Sequence, residues 1–81
     1  MTIRYSRQFI KQYASAPAMI RNAFDKQSAL LVTNFRHPSL RAKKYDETRD
    51  VWQARVNRDW RFYFTIEGSE FHLHEIKPHP K

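Results

Sequence analysis

The sequence predicts an α+β fold: two N-terminal helices packed on one face of a four-stranded, mainly antiparallel sheet, in the order β-α-α-β-β-β, with residues 1–81 as a single domain. Three observations carry this. Two runs in the last third, Val51–Asn57 and Trp60–Glu67, are rich in aromatic and β-branched residues and alternate with a period of two, the mark of half-buried strands. Upstream, Phe9 and Tyr13, then Ile20, Phe24, Leu31 and Phe35, recur at near-helical intervals. At 81 residues there is room for one small core, and twelve aromatic side chains (Trp 2, Tyr 4, Phe 6) can fill it.

Taken in order, Thr2–Tyr5 alternates weakly and reads as a short first strand. Ser6 is a fair N-cap for a helix over 7–15. Pro17 suits the first turn of a second helix, where its missing N–H does no harm, and that helix runs to about Thr33. Pro38 ends helix propagation, and residues 36–45 read as a basic ordered loop, followed by a polar connector over 46–50.

Register follows from the pattern, because a one-residue slip would turn every side chain to the other face. A three-residue loop Asn57-Arg58-Asp59 sets Ala54 opposite Phe62, Gln53 opposite Tyr63 and Arg55 opposite Arg61. Gly68-Ser69 is a two-residue turn with Gly first. It sets Ile66 opposite Phe71, Phe64 opposite Leu73, Thr65 opposite His72 and Tyr63 opposite His74. One face is apolar and needs covering; the other carries Gln53, Arg55, Arg61, Tyr63, His72 and His74. Glu75 falls on the core side in this register, and only a partner near the sheet end would account for it.

Two arginines directly opposite each other repel. An anion between them relieves the repulsion, and the planar guanidinium fork is shaped for phosphate. The alternative is a pair of solvated strand residues neutralised by Glu67 or another acid. The formal net charge is +7, with nine Lys/Arg and one acid in residues 1–45, a balance that favours polyanionic partners. There is no Cys, which excludes disulfides and thiolate metal sites and suits a reducing cytosol. No apolar run approaches the ~20 residues of a membrane span, and MTIRYSRQF lacks the apolar core of a signal peptide. These features lead to the expectation of a cytoplasmic protein.

The stretch HPSLRAKKYDETRDVWQARVNRDWRFYFTIEGSEFHLHEIKPH, His37 to His79, resembles the RelE/ParE superfamily of toxin–antitoxin toxins, and the element order agrees with that family's. The resemblance implies the toxin of a type II toxin–antitoxin system, bound by a cognate antitoxin. One branch of the family cleaves mRNA on the ribosome, the 2′-hydroxyl attacking the neighbouring phosphate with no metal or other cofactor. The other, ParE-like, inhibits DNA gyrase without catalysis. A nontoxic remnant that binds only antitoxin or RNA is a third reading.

Carried over by position, Arg61 matches the arginine common to cleaving members, Arg55 a basic position on the same face, and His79 the basic or histidine residue after the last strand. Gln53 stands where some cleaving members have lysine. In the cleaving reading Arg61, Arg55 and His79 are catalytic: Arg61 steadies the growing phosphate charge and His79 moves a proton. Lys43, Lys44, Arg41, Arg58, Tyr63 and His74 are RNA- or rRNA-binding candidates, Tyr63 by stacking on a base. The bland readings are a solvated basic surface for the cations, cross-strand packing for Tyr63 and a terminal residue between two prolines for His79. His72 and His74 lie two apart on one face, a conceivable metal pair, but nothing supplies further ligands. His37 reads as structural or exposed.

Overall fold

A computed structural model of the protein describes residues 1–80. It contains strand β1 (Thr2–Tyr5), helices α1 (Arg7–Ser15) and α2 (Ala18–Thr33), a 3-10 turn at Pro38–Leu40, and strands β2 (Lys43–Asp46), β3 (Val51–Arg55), β4 (Trp60–Glu67) and β5 (Glu70–Pro78). The sheet has five strands in the order β1-β5-β4-β3-β2, and only the β1–β5 pair is parallel. This corrects the expected four strands: the segment read as a basic loop contains β2, an edge strand. Its sequence, KKYD, is charged, as edge strands commonly are, and so carries no apolar alternation.

Both helices begin and end close to where the sequence places them. Ser6 caps α1, its Oγ accepting from the Phe9 N–H at 3.0 Å. Pro17 stands one residue before α2, at its N-cap, rather than inside the first turn. Phe9 on α1, and Ile20, Phe24 and Leu31 on α2, join Ala54, Val56, Phe62, Phe64, Phe71, Leu73 and Ile76 of the sheet segment in one buried cluster. Phe24 meets Phe62 edge-on at 5.3 Å between centroids, so helix and sheet interlock through rings.

The α2 stripe has one polar member. Gln27 is 8 % exposed, and its Nε2 donates to the Ser39 carbonyl at 3.1 Å and the Arg55 carbonyl at 2.9 Å. It therefore ties the 38–40 turn to the end of β3. Gln27→Leu would remove the donor from both part-buried carbonyls, which costs up to about 1–3 kcal/mol each where water does not take its place. Denaturant unfolding is expected to show a lower midpoint with an unchanged slope; an unchanged midpoint would mean that water replaces the amide.

The two hairpins differ in how far their registers hold. β3 and β4 pair as the alternation requires, with Ala54↔Phe62, Gln53↔Tyr63 and Arg55↔Arg61. Between β4 and β5, Ile66↔Phe71, Thr65↔His72 and Phe64↔Leu73 also hold, and Gly68 opens the turn at φ +63°. Past Leu73 the register slips by one through a β-bulge, so that Tyr63 faces Glu75 and not His74, Phe62 faces Ile76, and Arg61 faces Lys77. The slip removes the difficulty over Glu75: Ile76 takes the buried position and Glu75 pairs with Tyr63 on the opposite face. Helix α1 secures this outer edge of β5. Ser6 donates its N–H to the Leu73 carbonyl at 2.9 Å and its hydroxyl to the His74 carbonyl at 3.0 Å, while Gln12 Oε1 accepts from the Ile76 N–H at 2.8 Å.

Candidate functional site

The face of the sheet away from the helices carries a row of cations. Arg55, Arg61 and Lys77 are consecutive cross-strand partners on β3, β4 and β5. All three are half-buried. The row ends beside the β3–β4 loop, whose shape is set by Asn57: its Oδ1 accepts from the N–H groups of Asp59 and Trp60, both at 2.9 Å. The same residue's carbonyl accepts from Arg61 Nη1 at 2.8 Å and Arg55 Nε at 3.3 Å, so both guanidinium groups converge on one oxygen. Arg61 also donates to the carbonyls of Arg58 and Trp60.

Among the described residues no carboxylate lies within ion-pair distance of Arg55 or Arg61. Burial first, and then the neighbouring Arg55, pull the Arg61 pKa below its ordinary value, and Arg41 adds to the effect. Arginine nonetheless stays charged at neutral pH. The free protein thus holds repelling cations that an anion would relieve. Lys77 is less free: its ammonium lies 3.3 Å from Glu75 Oε2 and 5.1 Å from the Tyr63 ring centre.

The other candidates are distributed unevenly. Arg58 projects from the 57–59 loop and is exposed. His79 is exposed, but its backbone is fixed at the same end of the sheet by an N–H bond to the Asp59 carbonyl at 2.7 Å. Arg41 follows the 3-10 turn in a left-handed conformation, φ 46°, and is close enough to Arg61 to depress its pKa. Lys43 pairs with Gln53 and is exposed. Lys44 turns the other way, opposite Trp52, with Asp50 at 2.6 Å and Glu47 at 3.8 Å from its ammonium; it is not brought to the row. Tyr63 is only 3 % exposed, covered by Lys77 and by the edge of Tyr45, and burial pushes its phenol pKa up.

His74 gives Nε2 to Thr65 Oγ1 at 2.9 Å, and His72 sits between Glu67 at 3.1 Å and Glu70 at 3.3 Å. Among the described residues no group of three or more His, Cys, Asp or Glu is arranged to hold a metal ion. His37 caps the 3-10 turn, Nδ1 accepting from the Ser39 N–H at 3.2 Å.

Sequence reasoning missed two residues here. Lys77 was hidden by the bulge, and the signal for it was the break from Phe71-x-Leu73 to Ile76 with a charged residue between. Tyr45, 58 % exposed on the unrecognised edge strand, is the aromatic that stands open where Tyr63 is covered. The turn beyond Tyr45 is expected to respond to pH. The Asp46 carboxylate accepts from Arg49 Nε at 2.9 Å and from the Arg49 and Thr48 N–H groups, with the Arg49 side chain the main cause of its lowered pKa. A folded value below the unfolded one means that the turn's contribution is present above the unfolded carboxylate pKa, about 3.9, and lost as pH falls through the folded value. Acid titration is expected to shift the Thr48 and Arg49 amide resonances in that window while the central strands stay unchanged.

No protein-family model and no curated protein matches the sequence. Solved structures do match its fold. A YoeB/ParE toxin from Agrobacterium tumefaciens superposes with a TM-score of 0.82 at 12 % identity, over 99 % of this chain and 100 % of the other. YafQ from E. coli strain BL21(DE3) gives 0.75 at 19 % identity, over 95 % and 91 %. The archaeal RelE–RelB complex from Pyrococcus horikoshii OT3 contains a chain that gives 0.78 at 18 % identity, over 95 % and 92 %. The chain has the RelE/ParE-like toxin fold. Within the described residues, no helix is long and apolar enough to cross a membrane.

Proposed function

We infer that this chain, sharing its fold with the YoeB, YafQ and RelE toxins, is itself the toxin of a toxin–antitoxin pair and cleaves mRNA on the ribosome. The observation that carries the reading is the Arg55–Arg61–Lys77 row, in which the arginines lack carboxylate partners among the described residues. A scissile phosphate seated on this row has its oxygens facing guanidinium and ammonium donors. As the 2′-oxygen bonds to phosphorus and the P–O5′ bond breaks, charge builds on those oxygens, and preorganised donors stabilise it. The products are a 2′,3′-cyclic phosphate and a 5′-hydroxyl. One proton leaves the 2′-hydroxyl and one arrives at the 5′-oxygen; His79, tethered at this end of the sheet, is assigned one of these transfers. Exposed Arg41, Lys43 and Arg58 extend the positive surface toward ribosomal RNA. The Pyrococcus relative is in complex with RelB, and an antitoxin is the partner proposed for this chain.

The test is to induce the protein in bacteria, map mRNA 5′ ends and score double-strand DNA breaks. Codon-phased cuts that vanish in Arg61→Ala are expected. DNA breaks without mRNA cuts would replace this reading with gyrase inhibition, which needs no phosphate-centred row; neither effect, with normal growth, would leave a remnant that only binds.

A further inference from the structure

Beside the cation row the same face is hollow. Tyr45, Val51, Tyr63, Thr65, His74 and Glu75 border a concavity of about 310 Å3. Tyr63 is its floor, and Tyr45 rises at the rim with 4.9 Å between the two ring centres. Tyr63 and Glu75 lie two residues along their strands from Arg61 and Lys77, roughly 7 Å, about the reach from a nucleotide's phosphate to a base.

Glu75 is the anomaly. A carboxylate on a surface that gathers phosphates repels the ligand. It lies 3.3 Å from Lys77 Nζ and accepts from Gln8 Nε2 at 3.2 Å, yet two carboxylate oxygens offer about four acceptor sites. It faces the hollow only because the bulge turned it out of the core. Such a group is useful there if it reads N–H donors.

We propose that the concavity holds one base of the bound RNA, stacked on Tyr45, and that Glu75 selects guanine. Guanine presents N1–H and N2–H side by side, which a carboxylate accepts together. Adenine and cytosine present an amino group next to an acceptor, and the N3–H of uracil lies between two carbonyls, so each sets an acceptor against Glu75. Stacking on Tyr45 supplies affinity without regard to sequence. The assignment rests on reading this face as RNA-binding.

The experiment is an NMR titration of the labelled protein with 5′-GMP, 5′-AMP, 5′-CMP and 5′-UMP, which share one phosphate, repeated on Glu75→Gln and Tyr45→Ala. GMP is expected to bind about tenfold more tightly than UMP and to shift the Val51, Thr65 and His74 amides. Glu75→Gln is expected to erase the preference while shifts at Arg61 and Lys77 persist, and Tyr45→Ala to weaken all four nucleotides; the spectra report whether each variant folds. Equal binding of the four, no shift at Val51, Thr65 and His74, or a preference that survives in Glu75→Gln would overturn the proposal. The titration involves no cleavage. A protein that prefers GMP but leaves mRNA intact keeps the pocket and loses the nuclease; one that cuts mRNA but binds all four alike keeps the nuclease and loses the pocket.

Discussion

Arg61→Ala is expected to lower the rate of RNA cleavage by about 10²–10³, the usual cost of removing a preorganised donor to a developing oxyanion, and to abolish toxicity on induction. The fold should survive. Arg61 lies on the face away from the helices, and its observed bonds are to the carbonyls of Asn57, Arg58 and Trp60, which the loop can offer to water instead. Removing one of two repelling cations even favours the free protein. Arg61→Lys keeps the charge but not the fork, and should fall between the two. The decisive measurement is single-turnover cleavage alongside thermal unfolding. A variant with full activity would take Arg61 out of the mechanism, and one that is merely unfolded would show in the melt.

The second large effect is on stability. Phe64 is fully buried and touches three rings: Trp52 stacked at 6.3 Å, Phe62 at 5.8 Å and Phe71 edge-on at 5.6 Å. Phe64→Ala removes the centre of this cluster and should cost about 3–5 kcal/mol. Small domains have roughly 5–15 kcal/mol in total, so the variant should lose a large share of its stability and, at the low end of that range, come close to unfolding at 37 °C. Circular dichroism and denaturant titration measure this. A loss below about 1 kcal/mol would show that the core collapses to fill the space. Phe64→Leu, with less volume removed, should lose less.

The parts of the fold that were readable in the sequence are those where burial imposes a strict period. The pairing of Arg55 with Arg61 follows from the need to keep Trp52, Ala54, Phe62 and Phe64 on one side, and the structure has that pairing. Ser6 announced α1 because an N-cap uses a specific hydroxyl. Strand β2 was not readable because an edge strand with charged residues has no buried face to set a rhythm. The bulge was not readable as geometry, though Glu75 in a core position was its symptom. Missing it hid Lys77, so one misplaced residue concealed a third of the cation row. Gln27 shows another limit: a glutamine on an apolar stripe looks like a flaw until the carbonyls of Ser39 and Arg55 are seen beneath it.

The offset at His74 also governs what kinds of change this chain can absorb. β5 is written in two frames, 71–73 before the offset and 75–78 after it, with His74 as the joint. Losing His74 would let the two frames merge into one regular ladder, with Leu73 and Ile76 still buried and Glu75 and Lys77 still outward, at the cost of the bonds His74 makes to Ser6 and Thr65. The bulge is therefore held by what its extra residue bonds to, and the burial of Leu73 and Ile76 does not depend on it.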